Sequence, residues 1–222
     1  MPRKVRVTMT RKTRRAFLGT AALTSAIGIT GAATASSDAE TITFEETFDD
    51  PTREWQFEAD ASADVEFGSD WSIERSDARA ASGSQSLEYT VDATEEFATI
   101  WAYTEVDVER GQSYDVEVNT QFWNQAKSYN QLSKYRAYFG PEKPETVEDF
   151  PSGIEAFLMY SDAAGLEKNP WEESGWTEYP MFWQTPELET DTLYLALAVQ
   201  PAWETTVEHA IDDVSVQMEP RT

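Results

Sequence analysis

Large aromatic and amide side chains recur at alternate positions in three segments of this 222-residue chain. Because successive side chains of a strand point to opposite faces, residues of one phase share a face. Aliphatic residues occupy one phase of segments 97–108, 114–122 and 192–200, which leaves the rings and amides on the outward phase. The outward set is Trp101, Tyr103, Asn119, Gln121, Trp123, Tyr194 and Gln200.

This outward set has the composition of a ligand site, in which a few polar groups stand among aromatic rings. Flat rings stack on the apolar faces of sugars, and side-chain amides hydrogen-bond sugar hydroxyls. If the three strands are neighbours, their rings form one exposed binding face, and exposed large aromatic patches usually mark interaction sites. The alternative is that a long loop covers some of these rings, which would make them core residues.

Catalytic chemistry has weaker support in the sequence. His209 is the one histidine, and no Gly-x-Ser-x-Gly motif accompanies it. A zinc site lacks its usual nitrogen and sulfur ligands. Paired carboxylates are unavoidable among 41 acidic residues, so they indicate nothing specific. The sequence therefore predicts binding without catalysis.

Short alternating segments separated by turn residues predict an all-β antiparallel sandwich. The last two segments, within 192–218, are predicted to pair with each other, and 109–112 is predicted to be a hairpin-type turn. The predicted strands are 42–48, 71–75, 86–91, 97–108, 114–122, 154–161, 176–183, 192–200 and 210–218.

Segment 124–153 interrupts this rhythm and is predicted to be a long loop insertion, with tyrosine spacing that allows a short helix. It could build, cover or replace a binding groove. Its four basic residues either receive an acidic sugar or, more simply, pair with neighbouring acids. They are Lys127, Lys134, Arg136 and Lys143. A loop is also predicted at 162–174.

The first 35 residues have the three-part pattern of an export signal, in which a basic start precedes a small apolar run and Ala33-Thr34-Ala35. Thr13-Arg14-Arg15-Ala16-Phe17-Leu18 resembles the twin-arginine motif, which implies that Arg14 and Arg15 engage the twin-arginine export machinery. A plain secretory signal or an anchor is the alternative. The apolar run is weak for a permanent membrane span. We expect a cleaved signal over 1–35, a linker over 36–41, and a secreted or cell-surface protein.

Removal of residues 1–35 leaves all 41 acidic residues but only ten of the 17 basic ones, a net charge of −31. Such self-repulsion is screened in molar salt, where the Debye length is about 3 Å. The composition resembles that of secreted proteins of extreme halophiles. It makes nucleic acid and anionic membranes poor partners. The chain has no cysteine, which excludes disulfides and thiol chemistry.

Three short segments together resemble galactose-binding-like jelly rolls, a group that includes many carbohydrate-binding modules. They are Glu46-Thr-Phe48-Asp49-Asp50…Trp55, Ala81-Ser-Gly83-Ser-Gln-Ser86-Leu87, and Ile211-Asp212-Asp213-Val214-Ser-Val216. Their order matches the opening strand, a turn and the closing strand of that group. The chain departs from it at Asp49, where glutamate is common, and in the length of 124–153.

The resemblance implies a structural calcium ion between the opening and closing strands. Calcium requires six to eight oxygen ligands from carboxylates and carbonyls. The matching acids are Asp49 and Asp212, and Glu46 and Asp213 could complete the set. The alternative is that these are ordinary surface acids.

We therefore expect one domain over 42–219. Its predicted function is non-catalytic binding of extracellular or cell-surface glycans, with calcium as a structural cofactor. A structural or adhesive protein that engages other proteins is the alternative, and a glycan-processing enzyme is the third reading.

Overall fold

A computed structural model describes residues 40–61, 66–91, 98–125, 133–152, 162–170, 174–201 and 206–222. The predicted signal over 1–35 and the strand predicted at 154–161 lie outside these ranges. The described strands are β1 (Ile42–Glu46), β2 (Gln56–Asp60), β3 (Trp71–Ser76), β4 (Ser86–Val91), β5 (Thr99–Asp107), β6 (Ser113–Asn124), β7 (Ser133–Gly140), β8 (Ala164–Lys168), β9 (Gly175–Gln184), β10 (Thr192–Pro201) and β11 (Val207–Arg221).

The strands form two sheets, which we call sheet I and sheet II. Sheet I has the order β3-β4-β11-β6-β9, and β1 also pairs with β11. Sheet II has the order β2-β5-β10-β7-β8. Every pairing among the described strands is antiparallel. The predicted all-β antiparallel sandwich is confirmed.

Strand β11 organises sheet I. One edge pairs with β6 almost along its whole length, from His209 to Arg221. Its other edge pairs first with β4, over Val207–Ile211, and then with β1, over Val214–Met218. A bulge between Asp212 and Ser215 separates the two stretches, with Asp213 at φ 45°. Such a bulge bends a strand and redirects its side chains.

The inner faces of the two sheets enclose the main core. The aliphatic phase of each predicted strand points into it, as the alternation requires. Sheet II contributes Ile100, Leu195 and Leu197, and sheet I contributes Val118 and Val216, all buried. The inward and outward phases derived from the sequence are therefore confirmed for β5, β6 and β10.

Three strands were missed by the sequence analysis. β2 lies in a polar stretch that carries only one alternating apolar pair, Phe57 and Ala59, which are half-buried. β7 occupies Ser133–Gly140, where a loop or short helix was expected, and β8 occupies part of the predicted loop at 162–174. Both predictions were wrong because tertiary pairing stabilises extended backbone there: β7 pairs with β10, and β8 pairs with β7.

The pairing of the last two strands was also predicted wrongly. β10 belongs to sheet II and β11 to sheet I, so they face each other across the core. The 109–112 turn likewise connects sheet II to sheet I and does not form a hairpin. Gly111 occupies a positive φ of 83° in this crossing, and its N–H donates to the Leu188 carbonyl oxygen at 2.8 Å.

Candidate functional site

The predicted ligand residues fall on opposite sides of the sandwich. Trp101, Tyr103, Tyr194 and Gln200 share the outer face of sheet II, because β5 and β10 are neighbours there. Asn119, Gln121 and Trp123 lie on the outer face of sheet I, because β6 pairs with β11 and β9. The prediction of one shared surface is therefore wrong. Outward phase alone does not tell which sheet a strand joins.

A covering segment, residues 141–152, lies over the outer face of sheet II, and we call it the strap. Its Phe150 ring packs edge-on against Trp101, with ring centroids 5.7 Å apart, and against Tyr138 at 6.3 Å. Trp101 is 0 % exposed and Tyr103 is 3 % exposed. These rings were expected to be exposed, but they form a second small core beneath the strap.

Polar contacts tie the strap to the strands below it. The Val147 N–H donates to Asp60 Oδ2 at 2.9 Å, and Arg136 Nη1 donates to the Val147 carbonyl oxygen at 3.3 Å. Arg136 Nη2 also lies 2.9 Å from Glu167 Oε2, and Lys134 Nζ lies 3.5 Å from Glu167 Oε1. The simpler prediction for the basic cluster, that its residues pair with neighbouring acids, is confirmed for Lys134 and Arg136. Lys127 lies outside the described ranges.

Lys143 forms a further tie between the strap and sheet II. Its ammonium pairs with the Glu58 carboxylate and lies 4.6 Å from the centre of the Tyr103 ring. Burial opposes the charge of Lys143, but hydrogen bonds to Glu58 and Tyr103 and their charges outweigh it and raise the pKa of the amine. The Lys143 charge is therefore already engaged on the sheet side of the strap.

An open cleft of about 540 Å³ lies beside the strap at the end of β10. Tyr194 forms one wall with its half-buried ring, which lies 6.4 Å from the Tyr103 ring, centre to centre. Tyr194 thus connects the sealed aromatic cluster to solvent. We call this the Tyr194 cleft, and it is lined by Pro141, Glu142, Lys143, Glu145, Thr146, Asp149 and Tyr194.

The strap wall of the cleft is preorganised by Asp149. Its Oδ2 accepts N–H bonds from Glu145 and Thr146, both at 2.8 Å, and a bond from the Thr146 hydroxyl at 3.2 Å. These bonds fix the turn that leads into the short 3-10 helix Val147–Asp149. The polar groups of the wall are therefore held in place before any ligand arrives.

On the outer face of sheet I, the Trp123 ring is half-buried beneath a cation. The Arg79 guanidinium carbon lies 3.9 Å from the ring centre. Arg79 Nη1 lies 3.5 Å from Glu88 Oε1, and Arg79 Nη2 lies 3.3 Å from Glu208 Oε2. Arg79 therefore occupies the ring surface that a stacked sugar would need.

The remainder of this face is polar and more exposed. Asn119 and Gln121 are half-buried, and Asn119 Nδ2 donates to Glu117 Oε1 at 2.9 Å. Phe182, on the edge strand β9, is 52 % exposed. This face therefore presents an exposed aromatic ring at the edge of the sheet, whereas the Tyr194 cleft is concave.

Three of the four predicted calcium ligands converge on the turn at 81–84. Asp49 Oδ1 accepts bonds from the Ser84 N–H at 3.0 Å and the Ser84 hydroxyl at 2.8 Å, which lower the pKa of Asp49. Gly83 has a φ of 60°, and a Cβ there would lie 2.1 Å from Asp49 Oδ2. The Asp49 contact therefore requires glycine at this position.

The other two acids approach the turn from the β11 bulge. Asp212 is 0 % exposed. Its Oδ2 accepts N–H bonds from Ala81 at 2.7 Å and Ser82 at 3.2 Å, and its Oδ1 accepts one from Asp213 at 2.8 Å. Burial raises the pKa of Asp212, although these bonds oppose the rise. The Ser82 hydroxyl bonds to Asp213 Oδ1.

Glu46 is buried separately at the end of β1. Its Oε1 accepts the Phe48 N–H at 2.6 Å, and its Oε2 accepts the Trp55 indole N–H at 3.1 Å. Across the described ranges, no group of three or more histidine or acidic side chains is placed to hold a metal ion. The four acids do not form a ready calcium cage, and the calcium site stays a prediction.

His209 lies in the core, 1 % exposed, with its ring stacked 5.1 Å from the Phe122 ring. Burial lowers its pKa to about 4, and the backbone of Trp123 only partly opposes this effect. A neutral, enclosed imidazole cannot exchange protons with a ligand in the Tyr194 cleft.

The strap residues were missed as site residues by the sequence analysis. Segment 124–153 was recognised as able to cover a groove, but no periodic signal connects Phe150 or Lys143 to sheet II. The one available signal was Phe150, a large apolar residue beside Pro151 in an acidic stretch.

The sequence matches no protein-family model, and a search of curated proteins finds no significant match. Carbohydrate-binding modules are among the similar solved structures. The module TmCBM61, in complex with β-1,4-galactotriose, is 14 % identical, with a TM-score of 0.43 over 74 % of this chain and 88 % of that one. The CBM22-1 xylan-binding domain of Paenibacillus barcinonensis Xyn10C is 12 % identical, with a TM-score of 0.44 over 83 % and 97 %.

A third similar structure is the enzymatically active domain of tailspike protein 4 from bacteriophage CBA120. It is 11 % identical, with a TM-score of 0.46 over 74 % of this chain and 19 % of that one. These similarities are too distant to transfer a ligand or a residue role. The function is therefore argued from the side chains of this protein.

Proposed function

We propose that the protein is an exported, non-catalytic carbohydrate-binding β-sandwich that holds a glycan in the Tyr194 cleft. The observation that carries the proposal is the position of the Tyr194 ring, which forms the wall of an open cleft of about 540 Å³. The strap contributes polar lining residues to the same cleft, in a turn that Asp149 holds in place. A ring for stacking and fixed polar groups for orientation are the two components of a sugar site.

The strap adds rigidity to this site. Phe150 and Lys143 attach it to the buried rings of Trp101 and Tyr103, so the cleft wall cannot shift without breaking those contacts. A preformed site loses less conformational entropy on binding than a flexible one. In this proposal Trp101 and Tyr103 support the site from below, and Tyr194 contacts the sugar.

The non-catalytic part of the proposal is supported by the position of the histidine. His209 lies in the core between the sheets, and Tyr194 points outward from sheet II. The acids of the cleft could serve catalysis only as a correctly spaced pair. Sustained incubation with a bound oligosaccharide tests this part directly, because release of reducing ends would show that the protein is an enzyme.

Export and high-salt adaptation complete the proposal and rest on the sequence. Arg14 and Arg15 direct the twin-arginine machinery, and the signal over 1–35 is removed outside the cytoplasm. Replacement of both arginines by lysine should retain the precursor inside the cell. Within the described ranges, no helix is long and apolar enough to cross a membrane.

Calcium remains a proposed stabiliser of the corner formed by Asp49, Asp212 and Asp213. Added calcium should raise the melting temperature of the parent protein but not that of an Asp212→Ala variant. An unchanged melting temperature in the parent would remove calcium from the proposal without affecting the Tyr194 cleft.

The binding experiment is a glycan array on residues 36–222 in molar potassium chloride, followed by calorimetry with the best ligand. Tyr194→Ala should weaken binding at least about fivefold, since ring–ligand stacking contributes on the order of 1 kcal/mol or more. Tyr194→Phe keeps the ring and should retain most of the affinity.

Phe182→Ala is the matched control, because it removes an exposed ring from the opposite sheet. Equal losses in Tyr194→Ala and Phe182→Ala would contradict the assignment of the site. No binding to any glycan by the folded parent would contradict the function itself.

A structural or adhesive role is the second candidate, and exposed Phe182 on edge strand β9 favours it. Trp123, Asn119 and Gln121 stay predicted binding residues on that same sheet. A blank array together with protein capture lost in Phe182→Ala would favour this role over glycan binding.

A further inference from the structure

The Tyr194 cleft has a marked charge asymmetry. Three of its lining residues are acidic, namely Glu142, Glu145 and Asp149. Lys143, the one basic residue among the described lining residues, has its ammonium engaged by Glu58 and the Tyr103 ring. The open side of the cleft therefore presents carboxylates beside an aromatic ring.

The effect of these carboxylates is visible at a neighbouring side chain. Tyr138 lies beneath the strap, and its hydroxyl oxygen accepts the Glu142 N–H at 3.2 Å. Burial raises the pKa of Tyr138 to about 12, and the charges of Glu142 and Asp149 contribute further to the rise. Negative potential therefore extends from the strap into the floor below it.

The three carboxylates differ in their freedom to meet a ligand. Asp149 Oδ2 is occupied by the donors of residues 145 and 146. The Glu142 carboxylate is exposed at the rim, and no hydrogen bond or ion pair engages it among the described residues. A cationic group above Tyr194 would thus meet Glu142 at little cost to existing contacts.

From this geometry we infer that the Tyr194 cleft selects glycans that carry protonated amino groups, as in deacetylated amino sugars, over neutral and anionic glycans. The inference rests on the proposed function and names its ligand class. The apolar face of such a sugar stacks on Tyr194 while its ammonium group pairs with Glu142, and Glu145 adds negative charge to the cleft lining. Uronic acids and sulfated sugars are repelled by the same carboxylates, since like charges brought together are disfavoured.

The test compares three ligands at one mildly acidic pH, at which glucosamine amino groups are protonated. They are a glucosamine oligomer, its N-acetylated counterpart and an oligogalacturonate of equal length. In the lowest salt at which it stays folded, the parent should bind the glucosamine oligomer up to about fivefold more tightly than the N-acetylated form, the effect expected for a rim ion pair. The oligogalacturonate should bind most weakly.

The variants separate charge selection from sugar binding. Glu142→Gln combined with Glu145→Gln should remove the preference for the amino form by lowering its affinity to that of the N-acetylated oligomer. Glu148→Gln is the matched control, because Glu148 is an exposed acid of the strap that does not line the cleft. It should keep the preference. Tyr194→Ala should weaken binding of all forms.

Each failure has a distinct meaning. Equal affinity for the three ligands, preference for the anionic one, or a preference that survives the double substitution would overturn the inference and leave the proposed function intact. A folded parent that binds none of the three oligomers would also overturn the inference alone, whereas normal binding by Tyr194→Ala would overturn both.

Discussion

On sheet II the outward rings of Trp101 and Tyr103 lie beneath the strap, whereas on sheet I the outward ring of Trp123 is covered by the Arg79 side chain. All three residues follow the same alternation in the sequence. Their environments differ because a whole chain segment covers one sheet, but a single basic residue covers the ring on the other.

This difference teaches that an outward strand phase defines a face, and a connection elsewhere in the chain decides whether that face meets solvent. The strap covers the rings of Trp101 and Tyr103 on sheet II, and Tyr194 lies at its margin, where it lines the cleft. Sheet I keeps an exposed polar face, stabilised by pairs such as Arg79–Glu88. The sealed face should therefore contribute far more to stability than the open one.

The largest expected effect comes from Phe150→Ala. Loss of this buried ring leaves a cavity over Trp101 and should cost about 3–5 kcal/mol of unfolding free energy, measured by urea denaturation. Phe182→Ala, on the open face, should change stability by only about 0.5 kcal/mol. Similar losses in the two variants would show that the strap does not seal sheet II.

The stability of the core between the two sheets should fall in acid because of His209. Burial holds the pKa of folded His209 at about 4, below the ordinary histidine value of 6.5, so the unfolded state binds the proton more readily. This contribution to stability is complete above about pH 7 and falls by about 3 kcal/mol by pH 4.

His209→Leu isolates this effect because its side chain has no charge at any pH. Denaturation curves for the parent and the variant should diverge by about 3 kcal/mol between pH 8 and pH 4, with the parent losing more. Parallel pH profiles would mean that His209 is accessible to protons in the folded protein.

A smaller effect is expected at the corner where sheet I meets the 81–84 turn. Asp212→Ala removes the acceptor of three backbone N–H groups and should cost about 2 kcal/mol. Asp213→Asn is the control, because asparagine tolerates the positive φ of this position and keeps an oxygen. A loss at Asp213 as large as that at Asp212 would contradict the central role of Asp212.

The smallest expected loss of stability comes from removal of the Arg79 side chain that covers the Trp123 ring. Arg79→Ala should cost about 1 kcal/mol, since it removes a cation–π contact and two partly exposed ion pairs. Arg79→Lys retains the charge but not the flat stacking group, so its loss should be intermediate. Urea denaturation in low and molar salt separates the two contributions, because salt screens the ion pairs more than the stacking.

Much of the sandwich could be predicted because alternation is a local property. The inward residues of β5, β6 and β10 were identified from period two alone. Among the strands that were missed, β8 with its sequence AGLEK is short and lacks alternation. Their conformation depends on partners distant in sequence, and a single-strand pattern does not encode those partners.

The candidate site could be predicted only in part for the same reason. Tyr194 was found from its phase, and so were the covered residues Trp101 and Tyr103. Glu142 and Asp149 were not found, because their role arises from a strap that crosses a sheet formed by other segments. Likewise, the shared turn beneath Asp49 and Asp212 was suggested by resemblance to other jelly rolls and not by spacing.

Strand β11 has a consequence for the order in which the protein can assemble. It follows in the chain every strand with which it pairs, and it joins β1, β4 and β6 into one sheet. During synthesis, those three strands must wait with open edges until residues 207–221 leave the ribosome. Folding therefore cannot be completed stepwise from the N-terminus. Nascent chains that end before β11 are the species most exposed to aggregation.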